Sequence, residues 1–222
     1  MKSSLKIYFL LFIFLIFSSY NNNPSKDNFT TFFPIKKILI EDNQAINSSK
    51  LKTDLNFLMN KSLLFLNEDE IFTTIKSYKF ISNAKLKKIY PNTLKFIIIE
   101  EIPVATQIID KTKFYITKDN KKINYRDILM YENLPSIFGQ HKNFNIFYNN
   151  LEKNNFKINE IKNFYFFDVG RWDIVLKNER IIKLPEKNYS DLLPKINSML
   201  NDSNFFKYKV FDFRIKDQLI LQ

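Results

Sequence analysis

Two pairs of carboxylates come closest to acid–base chemistry in this sequence. Glu100 and Glu101 are adjacent, and Glu68 and Glu70 lie close together. Hydrolysis of a glycosidic bond uses two carboxyl groups that flank the bond. Neighbouring residues of a strand point to opposite faces, however, and carboxylates at the start of a helix are stabilised by the helix dipole. Both pairs therefore favour structural roles, and we expect no enzymatic activity.

The sequence contains few residues suited to nucleophilic catalysis, metal binding or phosphate binding. His141 is the single histidine and the chain has no cysteine, so a zinc site and a serine or cysteine triad lack their partners. Gly139 and Gly170 are the only glycines, too few for a phosphate-binding loop. Trp172 could stack on a sugar, but its alternating strand favours a core or rim position. We predict no catalytic, metal or cofactor site, and a surface position for His141 at a helix start.

The net charge of +11 would suit a nucleic acid or an anionic surface. Most of the 34 basic residues are lysines spread along the whole chain. Arginine, whose planar fork binds bases and phosphates, occurs only at Arg126, Arg171, Arg180 and Arg214. A solvated lysine surface is therefore favoured over a dedicated polyanion site.

The N-terminal segment carries a membrane-targeting signal. Lys2 and Lys6 precede an unbroken apolar run over residues 7–17. This length lies between a secretory signal of about 7–15 apolar residues and a spanning helix of about 20. Because no small-x-small cleavage site follows, we favour an uncleaved transmembrane signal anchor over residues 7–20, with a cleaved signal peptide as the alternative. The preceding positive charges place the remainder of the chain outside the cytoplasm.

The next part of the chain has the order strand, helix, helix, strand, strand. Ser48 and Asn67 are the predicted N-caps of the two helices, and apolar residues recur at helical spacing behind each. The two last strands join at the turn Tyr90-Pro91-Asn92. The predicted strands are 35–40, 81–89 and 93–101.

From residue 102 onward the pattern changes to short strands separated by turns. We predict a mostly antiparallel sheet with two helices, over 143–154 and 189–200. The fold class is then α+β: an N-terminal transmembrane helix, a β-α-α-β-β domain and a mostly antiparallel β domain. The predicted division is a short cytoplasmic tail (1–6), the anchor (7–20), a linker (21–32), the first domain (33–101) and the second domain (102–222).

A series of short motifs runs in order through residues 79–108. The positions are Ile81, Ala84, Leu86, Pro91, Thr93, Leu94, Glu100, Pro103, Val104 and Ala105. Together they resemble the POTRA domain of the FtsQ/DivIB family of bacterial cell division proteins. Later segments (134–139, 170–176, 181–186 and 211–221) follow in that family's order, so the resemblance covers nearly all of residues 33–222. This chain differs from the family at one turn. The family has Asp-x-x-Gly there, whereas here Asp119 is followed by Asn, Lys and Lys.

This resemblance implies a scaffold of the division machinery rather than an enzyme. The expected location is the bacterial inner membrane at the division septum, with a single pass and a periplasmic C-terminal part. FtsB and FtsL are the expected partners of the second domain. Through them the protein would help to control septal peptidoglycan synthesis by FtsW-FtsI, and FtsK is an expected contact of the POTRA domain.

The last edge strand is the expected binding surface, because an edge offers backbone donors and acceptors to a partner strand. The resemblance implies partner binding by Phe213, Arg214, Ile215 and Lys216, which match the region that contacts FtsB in that family. Leu219, Ile220 and Leu221, which form the terminal strand, complete the expected partner-binding residues. Arg214 is expected to contact an acidic partner side chain. The alternative is that it pairs internally with Asp212 or Asp217.

Three other functions remain as alternatives. A POTRA-type chaperone or transport module would bind unfolded β-strands, but such proteins carry several POTRA units or a membrane barrel. A secreted hydrolase would need a convergent polar site, for which the sequence offers few residues. A membrane-bound nucleic-acid binder is the weakest of the three, because arginine is so sparse.

Overall fold

The computed structural model of the protein describes residues 2–18, 32–140 and 143–222. His141 and most of the predicted linker therefore lie outside the described residues. The contacts divide the chain into two compact units. The first unit contains the described residues up to Asn43 with Asn47–Ile75 and Ala84–Ile98, and the second contains Gln44–Ile46, Lys76–Asn83 and Ile99–Gln222.

Helix α1 (Lys2–Ser18) contains the apolar run found in the sequence. The side chains described in it, those of residues 7–15, are exposed. The predicted anchor over residues 7–20 is thus helical as far as Ser18, and residues 19 and 20 lie outside the described part. In the described parts of the chain, no helix reaches the length and apolarity needed to cross a membrane.

The first unit confirms the predicted β-α-α-β-β order. The elements are β1 (Lys37–Glu41), α2 (Ser48–Asp54), α3 (Glu68–Lys76), β2 (Ile81–Ile89) and β3 (Thr93–Glu100). The strands form one sheet in the order β1-β3-β2, in which β1 runs parallel to β3. Leu94, Phe96 and Ile98 alternate along β3 and are buried, as their spacing predicts.

The helix caps of this unit are partly as predicted. Asn67 accepts a hydrogen bond from the backbone N–H of Asp69 at 3.1 Å, which confirms it as the cap of α3. The prediction of Ser48 as the cap of α2 is wrong, because Asn47 holds that position. Its extended backbone lets the side-chain oxygen accept from Ser49 and Lys50 at 3.0 and 3.1 Å. Ser48 is already the first helical residue.

The second unit is built around one large sheet. Its strands are β4 (Pro103–Ile109), β5 (Thr112–Thr117), β6 (Lys122–Asn124), β7 (Ser136–Phe138), β8 (Ile161–Phe167), β9 (Arg171–Leu176), β10 (Ile181–Lys183), β11 (Val210–Asp212) and β12 (Ile220–Leu221). Its helices are α4 (Phe144–Lys153) and α5 (Leu193–Asn201). The nine strands lie in the order β12-β11-β10-β9-β8-β7-β4-β5-β6.

The pairing in this sheet is mixed. Most neighbours are antiparallel, as predicted, but β7 runs parallel to both β4 and β8, and β11 runs parallel to β10. The two helices explain two of these parallel pairs. Helix α4 links β7 to β8 and α5 links β10 to β11, and parallel neighbours need such a crossover. The sequence did not reveal β7, because a strand of three residues is too short to show alternation.

Aromatic packing joins α4 to the sheet. Phe147 of α4 stacks on Trp172 of β9 with ring centroids 4.6 Å apart and planes at 10°. Phe164 of β8 meets the Phe147 ring edge-on at 5.9 Å. All three side chains are buried, so Trp172 is the core aromatic that its strand predicted and its ring is covered by protein.

Left-handed backbone positions in the described chain are mostly occupied by Asn and Asp. Seven of the ten non-glycine residues with positive φ are of these two types. One of them is Asn120, with φ of 62°, in the turn that follows Asp119. Gly139 is different. A Cβ atom there would lie 2.1 Å from the carbonyl oxygen of Phe166, so only glycine fits.

Phe147→Ala should lower the free energy of unfolding by about 3–5 kcal/mol, because it leaves a cavity against Trp172. Ile146→Ala, one residue earlier and 53% exposed, is the matched control and should cost less than about 0.5 kcal/mol. Urea unfolding followed by the fluorescence of Trp172, the single tryptophan, measures both. Equal losses for the two variants would contradict this description of the core.

Candidate partner-binding edge

Strand β12 lies at one end of the sheet order of the second unit. The backbone N–H of Val210 donates to the carbonyl of Gln222 at 3.0 Å, and the N–H of Gln222 donates to the carbonyl of Val210 at 3.2 Å. Because hydrogen-bonded and non-hydrogen-bonded positions alternate in an antiparallel pair, the backbone groups of Leu221 point away from β11. They therefore face the open side of the sheet, where a further strand would pair.

The structure brings six of the seven predicted residues to this edge. Arg214, Ile215, Lys216 and Ile220 are exposed, whereas Leu219 and Leu221 are half-buried against the core. Phe213 is separate from them. It is buried, and its N–H donates to the carbonyl of Lys183 at 2.9 Å, so it continues the core next to β10.

Arg214 forms a forked ion pair with Asp212. Its Nε donates to both carboxylate oxygens of Asp212, at 2.8 and 2.9 Å, and its Nη2 donates to Oδ2. The backbone N–H of Arg214 donates to Oδ1 at 3.1 Å. The internal pairing considered from the sequence is therefore the one seen, with Asp212 and not Asp217 as the partner. Since the Arg214 side chain is still 42% exposed, the remaining guanidinium donors can reach a second acceptor.

A row of charged residues crosses the sheet beside this ion pair. Asp212 is opposite Lys183 of β10, and Lys183 is opposite Asp173 of β9. Residues directly opposite each other share one face of a sheet. The Nε of Arg171 donates to Asp173 at 3.2 Å and closes the row. With Arg214, three cations and two buried carboxylates meet here, which leaves one positive charge in excess.

The two carboxylates respond oppositely to this environment. The hydrogen bond from Arg214 holds the pKa of Asp212 below its ordinary value, although burial opposes the shift. Burial raises the pKa of Asp173, and the charges of Arg171, Arg214 and Lys183 oppose that rise. Asp212 is therefore stabilised as a carboxylate, whereas ionisation of Asp173 carries a desolvation cost.

A groove of about 690 Å³ adjoins the same edge. Residues 213–219 line one side, and the other side comes from the segment before α5 and its first turn. Lys187 and Lys195 lie there, and Glu186 and Asp191 are the acidic residues of that side. These groove residues were missed in the sequence, because only the pairing of β10 with β11 brings their segment beside the last strands.

Glu100 and Glu101, the adjacent acidic pair considered first in the sequence, make separate contacts with other parts of the chain. Both carboxylate oxygens of Glu100 accept the backbone N–H of Ala45, at 3.0 and 2.9 Å, and one also accepts that of Ile46 at 2.9 Å. Glu101 pairs with Lys121 at 2.7 Å. Across the residues that the structure describes, no group of three or more His, Asp or Glu side chains could hold a metal ion.

Asp212→Asn and Asp173→Asn should change the pH dependence of stability in opposite directions. Ionised Asp212 stabilises the fold above the ordinary pKa of 3.8, and this contribution is lost as pH falls through its lowered pKa. The contribution of Asp173 is present below 3.8 and is lost as pH rises through its raised pKa. At neutral pH, Asp212→Asn should cost about 1 kcal/mol, since the Arg214 side of the pair is exposed.

Thermal unfolding between about pH 3 and pH 7 measures both effects. As pH rises, the Tm advantage of the wild type should grow over Asp212→Asn and shrink or reverse over Asp173→Asn. Parallel pH profiles for the two variants would contradict the assigned pKa shifts.

Comparison with known proteins gives a family for the first part of the chain and relatives over most of its length. The family model described as "POTRA domain, FtsQ-type" matches residues 33–101. The chain is 27% identical to the cell division protein FtsQ of Rickettsia typhi over 194 residues, which cover 86% of this chain and 73% of that protein. It is 27% identical to FtsQ of Rickettsia prowazekii and 26% identical to FtsQ of Rickettsia bellii, with 86% of this chain and 72% of each relative covered. Residues 33–101 therefore form an FtsQ-type POTRA domain, in a chain that is similar to FtsQ cell division proteins over most of its length.

Proposed function

We propose that this protein is a non-catalytic scaffold of the bacterial division machinery. Its relatives are named cell division proteins, and the similarity extends beyond the POTRA domain through most of the chain. The surface that supports this role best is a sheet edge with backbone groups open to pairing. A scaffold needs such surfaces, and it needs no convergent reactive groups.

The proposed location is the inner membrane at the division septum. Lys2 and Lys6 precede the apolar run of α1, and positive charge before an apolar segment favours transfer of the following chain. In this proposal the segment 7–20 is an uncleaved single-pass anchor, and both compact units lie in the periplasm. The short tail over residues 1–6 remains in the cytoplasm.

FtsB and FtsL are the proposed partners of the second unit, through addition of a partner strand to β12. The outward backbone groups of Leu221 supply hydrogen bonds to the added strand. Ile215 and Ile220 offer exposed apolar contacts. The excess positive charge around Arg214 favours an acidic segment in the partner. The open edge of β12 is the single observation that carries this proposal.

Two further roles follow from the same scaffold. By holding FtsB and FtsL, the protein would help to control septal peptidoglycan synthesis by FtsW-FtsI. The POTRA domain is free for other division proteins, among which FtsK is the proposed contact. Neither role requires a reaction at this chain.

Leu221→Pro tests the proposed strand addition. Proline removes the outward N–H of Leu221 but leaves the pairing of Val210 with Gln222 in place. We expect at least tenfold weaker binding of the periplasmic FtsB-FtsL pair by calorimetry, equivalent to about 1.4 kcal/mol. Asn124→Pro is the matched control, because it removes an outward N–H from β6 at the opposite end of the same sheet.

The control should bind within about twofold of the wild type. Unchanged binding by Leu221→Pro, with Tm preserved, would rule out β12 as the docking edge. A fluorescent fusion of the wild-type chain should gather at midcell in dividing bacteria. A fusion spread evenly around the membrane would contradict the division role itself.

A further inference from the structure

Three segments of the first unit meet at one end of its sheet. Strand β1 begins with Lys37 opposite Thr93, so the start of β1 and the turn between β2 and β3 share that end. The backbone N–H groups of Lys36 and Lys37 both donate to the carbonyl of Asn92, at 2.8 and 3.2 Å. On the other side, the N–H of Leu63 donates to the carbonyl of Phe33 at 3.0 Å. Residues 32–37, 61–65 and 89–92 therefore form one continuous surface.

Large apolar side chains are exposed all over this surface, which we call the apolar end. Phe65 is 72% exposed, Phe32 is 61% exposed and Tyr90 is 51% exposed. The Phe33 ring meets the Tyr90 ring edge-on at 5.1 Å, which joins two of the segments through their side chains. Leu64 and Ile89 complete the set. Such a contiguous group of exposed aromatic and aliphatic residues marks an interaction surface.

Basic residues surround the apolar end. Lys36 and Lys37 are exposed beside the turn that carries Tyr90. Lys61 pairs with Glu70 at 3.0 Å, and its ammonium also lies 4.8 Å from the centre of the Phe57 ring. Aromatic side chains flanked by lysines are the combination that settles at the boundary between lipid headgroups and acyl chains.

The short connection to α1 indicates what the apolar end contacts. The apolar end includes Phe32, and the residues between it and Ser18 of α1 are only 19–31. Even fully extended, a segment of that length spans at most about 45 Å. If α1 is held in a bilayer, the apolar end is thus kept close to the lipid surface at high effective concentration.

We propose that the apolar end of the POTRA domain inserts its exposed aromatic side chains into the surface of the lipid bilayer. This inference rests on the proposed anchoring of α1. The contact would fix the height of the first unit above the membrane and leave the edges of its sheet accessible to proteins.

Single nitroxide labels on the full chain in vesicles can test this contact. The chain contains no cysteine, so one introduced cysteine carries the label at a known place. The variants are Phe65→Cys at the apolar end, Ile13→Cys in α1 and Ile108→Cys, an exposed apolar control in the second unit. Vesicles contain phosphatidylethanolamine and phosphatidylglycerol. The measured quantity is the ratio of collision rates with oxygen, which concentrates in lipid, and with a water-soluble nickel chelate.

At Phe65 this ratio should exceed that at Ile108 by at least about threefold. Adding Phe32→Ser and Leu64→Ser to the Phe65→Cys chain should return the ratio to the Ile108 value. A lipid-like ratio at Ile13 with a water-like ratio at Phe65 would overturn the surface contact and retain the anchor. Water-like ratios at both positions would overturn both proposals. The collision-rate ratio at Phe65 could also fall when the protein is diluted tenfold with lipid. A second copy of the chain would then cover the apolar end, and the proposal of a bilayer contact would be wrong.

Discussion

The main constraint on this protein is that every strand of a sheet must have its backbone groups paired or hydrated. In the second unit, the crossover through α5 places β11 beside β10, and the short return of the chain then places β12 beside β11. The sheet ends there, with the outward groups of Leu221 open. The ion pair of Arg214, the groove and the exposed Ile220 take their positions from this order of strands. The proposed binding surface is therefore a result of topology before it is a result of side-chain chemistry.

In the proposed binding mode, electrostatics would make that edge selective for an acidic partner. Asp212 pairs with Arg214 through a fork of hydrogen bonds and fixes the direction of the guanidinium. Two strands away, on β9, the buried Asp173 accepts a hydrogen bond from Arg171 of the same strand. An acidic partner segment would meet cations that are already oriented, so little side-chain entropy remains to be lost on binding. The same pair explains why Arg214 can be structural and available at once. One side of its guanidinium is occupied, and the other is exposed.

Local features of the sequence predicted the local structure well. The alternation of Leu94, Phe96 and Ile98 identified β3 and its buried face, and Asn67 identified the start of α3. The cap of α2 was placed one residue late, because Asn47, Ser48 and Ser49 are all good caps and only the backbone angles decide among them. The sequence cannot fix the first residue of a helix when several neighbouring residues are equally good N-caps.

Long-range pairing set the limit for the site. The sequence predicted a partner contact for Arg214, and it offered Asp212 as one of two candidate internal partners. The row from Asp173 through Lys183 to Asp212 depends on the register of three strands that are distant in sequence, and no local pattern encodes that register. Strand β7 was missed for a related reason. Its three residues gain their structure from β4 and β8 on either side.

The near absence of glycine has a consequence for the genome that encodes this chain. Glycine codons begin with two guanines, whereas asparagine and lysine codons begin with two adenines. At most of its left-handed turns the protein accepts Asn or Asp, so base composition can drift towards A and T there without loss of the fold. At Gly139 the carbonyl of Phe166 forbids any side chain. Nucleotide drift must therefore stop at the first two positions of that codon, however strong the mutational bias around it.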